Sequence, residues 1–430
     1  MAVPARTAPA ADRSRLLRAA RRIGWGIADQ GVSSLTNFAL GIVVARALDP
    51  AGFGVFGLAW VTYGVVLNVS RGLCSDPFTV RFSAADPADR ARAVARMTGC
   101  TLLVGTVAGA VTAAVGAGLG DRLGAAFVAL GLVLPGILLQ DAWRFAFFAA
   151  GTGRRAFVND VAWAVALVPA LAIASARPSV FAFVLAWGLS GGLAGLLGCL
   201  QAGIRPRPHL SLQWVREQRD LGPRYLVENV SLSGAAQLRL YGLGAVAGLA
   251  AVGAIRGGEL LIGPFLALLM GISVISVPEA TRVRRAAPHR LVHFCLLLGA
   301  VQALAAAVWG AFLLVLPDAW GRALLGDVWP AAAVLIVPMT LTVMGSSLSS
   351  GAMTGLRSLG AARRSLRAQL VAAAAYAVLG IAGAVLGGAP GSAWGLVAAT
   401  SLAAAVWWSQ LRAGLRDPAA LAPPPTGRTP

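Results

Sequence analysis

Long apolar stretches alternate with short polar segments along the whole chain. A helix that crosses a bilayer needs about 20 mostly apolar residues, and twelve stretches of this kind occur in the sequence. Their approximate limits are 24–46, 52–70, 98–119, 124–149, 157–176, 179–202, 225–248, 255–277, 291–316, 331–355, 368–387 and 392–411. The connections are too short to hold a soluble domain. The pattern predicts an all-α, polytopic membrane protein with twelve transmembrane helices.

Composition supports this prediction and excludes other classes of protein. Hydrophobic residues make up 57% of the 430 residues and charged residues only 12%, whereas soluble domains carry about 25% charged residues. A chain so poor in charge has too few polar residues to cover a soluble surface. An ordinary soluble enzyme and a disordered chain are therefore both excluded.

The basic residues indicate topology. All 36 are arginines, and the formal net charge is +19. With the N-terminus in the cytosol, 29 arginines fall in cytosolic segments. Five fall in outer loops, at Arg46, Arg122, Arg177, Arg256 and Arg322, and two fall inside spans, at Arg144 and Arg239. This asymmetry follows the positive-inside rule. It predicts a multi-pass protein of the cytoplasmic (inner) membrane with both termini in the cytosol, and no nucleic-acid partner.

Repeated positions indicate two halves. At an offset of 201, Ser-x-Pro-x-x-x-Arg recurs at the ends of the second and eighth spans, because Ser75, Pro77 and Arg81 match Ser276, Pro278 and Arg282. We expect parallel six-helix bundles with a cavity between them. The predicted division is a basic cytosolic tail (1–22), an N-terminal bundle (23–203), a cytosolic linker (204–223), a C-terminal bundle (224–412) and a disordered cytosolic tail (413–430).

The first span carries a polar stripe. Asp29, Ser33, Thr36 and Asn37 fall within about 100° of one another on a helix. Such side chains either hydrogen-bond to neighbouring helices or line a wet cavity, and both interpretations stay open. Asp29 favours the second, because a carboxylate facing lipid is costly.

The seventh span contains Glu228 and Arg239 on nearly the same face, about 16 Å apart along the axis. An unpaired arginine near the bilayer centre costs about 2.5–3.5 kcal/mol on insertion scales. Arg239 cannot lose its proton. It therefore needs a carboxylate, water or an anionic ligand, and we expect it to face the cavity.

The fourth span contains Gln140, Asp141 and Arg144. Asp141 and Arg144 are spaced to form a local ion pair, although Arg144 can also reach towards the cytosol. Asp160 is expected near the start of the fifth helix. The tenth span is rich in hydroxyl groups, which fit either a hydrated wall or close helix packing: Thr340, Thr342, Ser346, Ser347, Ser349 and Ser350.

Several kinds of chemistry have no support in the sequence. Without lysine there is no phosphate-binding loop of the ATPase type. The four cysteines and three histidines have no metal-ligand or catalytic spacing. We expect neither an enzyme nor a cofactor, with coupling to a proton or sodium gradient as a possible energy source.

The first two spans carry the most specific motifs. These are Ala28-Asp29-Gln30, Ser34-x-x-Asn37-Phe38, Val44-Ala45-Arg46 and Leu48-Asp49-Pro50-Ala51-Gly52-Phe53-Gly54-Val55-Phe56. They resemble the start of the bacterial polysaccharide transporters, the O-antigen flippase (Wzx-like) family of the MATE/oligosaccharidyl-lipid/polysaccharide (MOP) exporter superfamily. The match covers mainly residues 28–81, with an echo at 228–282.

This resemblance implies two six-helix bundles around a central cavity, alternating access, and flipping of a polyprenyl-(pyro)phosphate-linked oligosaccharide to the outer leaflet for cell-surface polysaccharide export. It also implies membrane lipids as surroundings and, as partners, a polymerase and glycosyltransferases of the same pathway. Residues assigned to substrate binding are Arg239, Arg144, Asn37 and Ser33. Residues assigned to ion coupling are Asp29, Glu228 and Asp141.

Two other functions remain open. A MATE-type antiporter of drugs or metabolites, coupled to a cation, would use an acidic residue in the first helix, and Asp29 is compatible with that role. A scaffold in glycan synthesis would have a dry, packed centre. A roomy basic cavity favours the flippase, and an acidic cavity with aromatic walls favours the antiporter.

Overall fold

A computed structural model describes residues 10–416 of the chain, without the side chains of 10–23, 228, 231–233, 267–268, 270–275 and 362. The described residues are α-helical throughout, joined by short turns. The helices are α1 (Ala10–Ala47), α2 (Pro50–Ser70), α3 (Asp76–Phe82), α4 (Pro87–Leu119), α5 (Asp121–Ala149), α6 (Gly153–Ala176), α7 (Val180–Ala202), α8 (Ser211–Glu217), α9 (Gly222–Ala247), α10 (Leu249–Ala286), α11 (Leu291–Leu314), α12 (Asp318–Leu325), α13 (Trp329–Ala333), α14 (Ile336–Ser358) and α15 (Ala362–Leu415). A π-helical turn, Arg71–Ser75, joins α2 to α3.

Local capping explains where several helices begin and end. The Asp86 carboxylate accepts hydrogen bonds from the backbone N–H groups of Ala88 and Asp89 at the start of α4. The bond from Asp89 lowers the pKa of Asp86. Ser179 caps α7 in the same way, by accepting from the N–H of Ala182. Gly203 ends α7 in the left-handed conformation that glycine adopts without strain.

The number of spans differs from the prediction. Within the described residues, nine helices are long and apolar enough to cross a membrane, and the count becomes ten if the pair Asp318–Ala333 and Ile336–Ser358, bent by 82°, forms one span. The protein is thus an all-α, multi-pass membrane protein. Twelve spans are not confirmed.

Two helices account for the difference between ten spans and twelve. α15 is counted once, yet it runs through both the eleventh and twelfth predicted spans and loses helical geometry at Gly387 and Gly388. α9 covers the seventh predicted span but is not among the nine. That count covers described residues, and the side chains of 228 and 231–233 within α9 are not among them. The predicted span positions therefore coincide with helices, although the number of predicted spans differs from the number counted in the structure.

Large apolar side chains cover the outer faces of several helices. Examples are Ile173 of α6, Leu200 of α7 and Leu304 of α11, all of which are more than half exposed. An apolar surface of this extent is unfavourable in water. In a bilayer it meets hydrocarbon, which explains how a chain with 57% hydrophobic residues remains stable.

The chain forms two compact units. The first contains residues up to Leu40 together with Val66–Val230, and the second contains Gly41–Val65 together with the residues from Ser231 onwards. The predicted bundles, 23–203 and 224–412, follow chain order and stay a prediction. α1 begins at Ala10, within the predicted tail, and the predicted linker carries α8. Most of the second predicted tail, 417–430, lies outside the described residues.

Each unit has its own apolar core. In the first unit α5 packs between α4 and α7, and its core contains Phe78, Met97, Trp143 and Trp214. In the second unit α14 packs against α10, α11 and α15, and its core contains Leu291, Leu356, Trp407 and Leu411.

Glycines allow α4 and α5 to pack backbone to backbone. A Cβ atom on Gly131 would lie 2.4 Å from the carbonyl oxygen of Gly109, and a Cβ atom on Gly109 would lie 2.4 Å from that of Gly131. Gly116 and Gly124 face each other in the same manner. Small residues at a crossing are typical of membrane helices, because close approach strengthens van der Waals contact.

We expect Gly131→Ala to destabilise the protein, since the new methyl group forces the two backbones apart. Overpacking of this kind costs about 1–3 kcal/mol. Thermal unfolding of the purified protein in detergent measures the effect. Gly118→Ala is the matched control on α4, because a Cβ atom there meets nothing within 4 Å. Equal melting temperatures for the two variants would contradict the proposed packing.

Candidate functional sites

The first unit contains a buried ion pair between α1 and α5. Asp29 is fully buried, and its Oδ2 accepts a hydrogen bond from Nε of Arg144 at 2.6 Å. Nη2 of Arg144 also donates to Oε1 of Gln30 at 3.1 Å. No donor from the described residues reaches Oδ1 of Asp29. Arg144 keeps 19% of its side chain exposed, so the pair lies at the edge of the interior.

The local pair predicted between Asp141 and Arg144 is wrong. Asp141 instead binds Arg71, which donates from Nε to Oδ2 at 2.9 Å and from Nη2 to Oδ1 at 2.6 Å. Two parallel hydrogen bonds of this kind match the geometry of a guanidinium to that of a carboxylate. Arg71 comes from the π-helical turn after α2, and an intrahelical pair between Asp141 and Arg144 does not offer this geometry.

A third set of polar contacts joins α5 to α6. Nε2 of Gln140 donates to Oδ1 of Asp160 at 2.6 Å. The neighbouring Asn159 donates to the carbonyl oxygen of Ala194 at 2.8 Å and to Oε1 of Gln201 at 3.1 Å. Asp160 was expected near a helix start, but α6 begins at Gly153. Asp160 is a buried carboxylate about two turns into α6.

The structure says less about the other residues that were predicted to bind substrate or couple ions. Ser33 and Asn37 lie half-buried on α1, beyond Asp29. The side chain of Glu228 lies outside the part of the chain that the structure describes, although its backbone belongs to α9. The roles assigned to these three residues stay predictions.

The second unit contains a cavity of about 630 Å³ with Arg239 in its wall. Arg239 belongs to α9 and is only 1% exposed. Its Nη2 donates to Oε1 of Glu259 at 3.1 Å, and its Cζ lies 5.5 Å from the ring centre of Tyr376. Within the described residues no acceptor has hydrogen-bonding geometry towards Nε or Nη1. The guanidinium is therefore buried with only part of its hydrogen-bonding capacity used.

Glu259 is shared by two arginines. Its Oε1 accepts from Arg239, and its Oε2 accepts from Nη1 of Arg256 at 2.7 Å. Arg256 also lies over the ring of Trp60, 5.9 Å from its centre. Two guanidinium groups and one carboxylate leave this charged cluster with a net charge of +1. A wall with this charge attracts an anion.

The rest of the wall is mixed. Hydroxyl and amide groups line it from α14 and α11, namely Thr342, Ser346, Ser347, Ser350 and Gln302. Apolar side chains line it at Ile262, Leu266, Leu269, Met339, Val343 and Leu396. The two interpretations of the serine-rich tenth span each apply to part of it. Four of its hydroxyl residues face the cavity, whereas Thr340 packs closely against Gly310.

Arg256 and Glu259 were missed by the sequence analysis. Arg256 was counted in an outer loop, but it lies inside α10. The signal that singled out Arg239, a charged residue within an apolar stretch, applies equally to Glu259. The two residues are spaced i and i+3, which places them on the same helical face. The carboxylate partner of Arg239 is thus on α10, and Arg239 lines a cavity, as expected from the sequence.

The sequence matches no protein-family model and none of the curated proteins. Solved structures do match. An inward-facing multidrug resistance MATE family transporter of the MOP superfamily has a TM-score of 0.67 and 16% identity, over 90% of this chain and 95% of that one. The lipid II flippase MurJ in an inward closed conformation has a TM-score of 0.69 and 10% identity, over 92% and 88%.

A third similar structure differs in its pocket. It is a MOP superfamily transporter from Pyrococcus furiosus with a binding pocket of reverse polarity, and it has a TM-score of 0.53 and 15% identity, over 93% of this chain and 95% of that one. At these identities the likeness concerns the fold. The chain has the fold of these MOP-superfamily structures.

The pair of Asp29 and Arg144 leads to a stability prediction. We expect Arg144→Gln to destabilise the protein strongly, because removing one partner of a buried pair costs about 3–5 kcal/mol. Because Arg144 is partly exposed, we expect the free energy of unfolding to fall by an amount near the lower end of this range. Adding Asp29→Asn should recover much of it, because no uncompensated charge then remains.

Thermal unfolding in detergent measures both variants. Arg154→Gln, at an exposed position of α6, is the control for loss of an arginine. If the double variant is no more stable than Arg144→Gln alone, the pair does not stabilise the first unit in the way described.

Proposed function

We propose that the protein is a flippase. In this proposal it moves a polyprenyl-(pyro)phosphate-linked oligosaccharide from the inner to the outer leaflet of the cytoplasmic membrane by alternating access, for export of a cell-surface polysaccharide. The proposal includes cytosolic termini, and a polymerase and glycosyltransferases of the same pathway as partners. A fold shared with a lipid II flippase is compatible with it.

The observation that carries the proposal is the guanidinium of Arg239, whose Nε and Nη1 find no acceptor among the described residues. An unpaired N–H group in the interior costs about 1–3 kcal/mol. Glu259 cannot satisfy both arginines, because Arg256 occupies its second oxygen. A phosphate group with several acceptor oxygens would supply what Arg239 lacks, and charge-assisted hydrogen bonds of this type are the strong ones.

The wall of the cavity suits the rest of such a headgroup. Serine and threonine hydroxyls donate and accept hydrogen bonds, as sugar hydroxyls also do. The apolar wall residues allow a prenyl chain to lie beside the charged cluster. A pyrophosphate-sugar headgroup cannot cross hydrocarbon unaided because its charge has no counterpart there. A positively charged, partly polar cavity would remove that barrier.

In the first unit, Arg144 would bind substrate phosphate only in competition with Asp29. Asn37 and Ser33 continue the polar stripe of α1 and are proposed as substrate contacts. Asp29 and Asp141, together with Glu228, are proposed to couple transport to a proton or sodium gradient. Oδ1 of Asp29 supports that role, because no described residue donates to it and it remains an acceptor for a cation.

A specific observation also favours the MATE-type antiporter as an alternative. Among its described residues the first unit buries three carboxylates, those of Asp29, Asp141 and Asp160, and two arginines, Arg144 and Arg71, pair with two of them. This excess of acid would suit a cationic substrate or coupling ion. The net positive cluster around Arg239 in the second unit does not suit a cation, so we place the flippase first.

Arg239→Gln in a strain that lacks the chromosomal gene tests the proposal. We expect the deletion to cause lipid-linked glycan to accumulate in the inner leaflet, and Arg239→Gln to restore export about tenfold less well than wild type, the effect of losing about 1.4 kcal/mol of binding. Glu259 keeps Arg256 as a partner in this variant, so no acid is left unpaired. The measurement is the amount of inner-leaflet lipid-linked sugar.

Arg322→Gln is the matched control, because Arg322 is an exposed arginine of the same unit. The amount of each variant in the membrane is measured in parallel. Normal export by Arg239→Gln would remove Arg239 from the mechanism. A deletion strain with no accumulated glycan and raised sensitivity to cationic drugs would favour the antiporter.

A further inference from the structure

Glu259 occupies the place that an anionic ligand would take. It is the single acid among the described residues that line the cavity, and each of its two oxygens accepts from a different arginine. Arg256 lies on the same helix, α10, whereas Arg239 lies on α9. An anion that binds both guanidinium groups must therefore displace the carboxylate from at least one of them.

Apart from Arg239 and Arg256, the described groups facing Glu259 carry no positive charge. Tyr376 of α15 lies close enough to interact with both Glu259 and Arg239. α2 contributes Trp60, beside Arg256. α11 contributes the amide of Gln302, and α14 contributes hydroxyl groups. Within the described residues, the charged groups of this wall are therefore Arg239, Arg256 and Glu259, with Tyr376 as the remaining titratable side chain.

A displaced carboxylate in this wall is costly. Glu259 is 32% exposed, and a ligand that takes both arginines leaves its partly buried charge without a partner. A neutral carboxylic acid avoids that cost. The proton comes from solvent and binds a carboxylate oxygen of Glu259. The two arginines keep their charge and donate their hydrogen bonds to the ligand instead. The total charge of the site then changes by the charge of the ligand plus one proton.

We propose that Glu259 is an internal counter-ion that a pyrophosphate diester displaces, and that it takes up a proton when it is displaced. The inference rests on the proposed function for the identity of the ligand. It adds that substrate binding and proton uptake are linked at one residue. Release of the ligand then returns Glu259 to the arginines and the proton to solvent.

The test uses purified full-length protein and P1-farnesyl P2-methyl pyrophosphate, a diester that keeps its two charges from about pH 6 to 8 and carries no proton of its own in that range. Calorimetry in two buffers of different ionisation enthalpy gives the protons taken up on binding. We expect uptake approaching one proton per ligand in the wild type. Affinity should then fall with rising pH, by up to about tenfold per pH unit.

Glu259→Gln should bind the probe without proton uptake and, at about pH 8, about tenfold more tightly, because the competing charge is gone. Glu279→Gln is the matched control: Glu279 is also on α10 and also pairs with an arginine three residues away, Arg282, at 3.0 Å. It should behave as wild type. P1,P2-dimethyl pyrophosphate lacks the prenyl chain. Binding as tight as that of the farnesyl diester would indicate a free ligand, and weaker binding would indicate a lipid-linked one.

If the wild-type protein binds the diester without taking up a proton, the inference about Glu259 is wrong, but the anion-binding site still stands. Wild-type protein that does not bind the diester also overturns it, and the export assay on Arg239→Gln then decides the proposed function separately. If Glu259→Gln does not fold, the wild-type proton count and pH dependence still decide, because the probe itself does not titrate.

Discussion

Arg239 carries a permanent charge almost entirely out of reach of solvent, and the side chains around it are arranged to accommodate that charge. An arginine in an apolar helix bundle cannot escape by losing its proton. It must be paired, hydrated or bound to an anion. Glu259 accepts one hydrogen bond from Arg239, and Tyr376 contributes a ring face. Nε and Nη1 of Arg239 have no acceptor among the described residues. The same constraint governs every other charge buried in these helices.

The two units meet this constraint in different ways. In the first, α1, the turn after α2, and α5 supply Asp29, Arg71, Asp141 and Arg144 as two separate pairs, each with one acid and one base. In the second, one acid serves two bases next to a cavity. Paired charges of the first kind fix helices to one another, whereas a shared acid beside open space leaves room for a ligand. The sequence suggests a repeat, but the two units do not have the same arrangement of buried charges.

Much of the fold could be predicted from the sequence, because hydropathy along a chain reports directly on what surrounds a helix. The stretches at 124–149 and 179–202 match α5 and α7 to within three residues at each end. Pairing could not be predicted in this way, because it depends on which helices touch. Asp141 is three residues from Arg144, yet its partner is Arg71, seventy residues away. Arg256 is the second residue of the predicted span 255–277 and was counted with the adjoining loop, whereas α10 begins seven residues earlier, at Leu249.

The position of Glu259 has one more consequence. Its bond to Arg256 is made within a single helix and survives any movement of α10 as a body, whereas its bond to Arg239 joins α10 to α9. The second bond is also the longer, at 3.1 Å against 2.7 Å. A ligand that competes for the arginines thus meets least resistance at Arg239, the group with unused donors. Occupancy of the cavity and the relative position of α9 and α10 are then linked through one carboxylate.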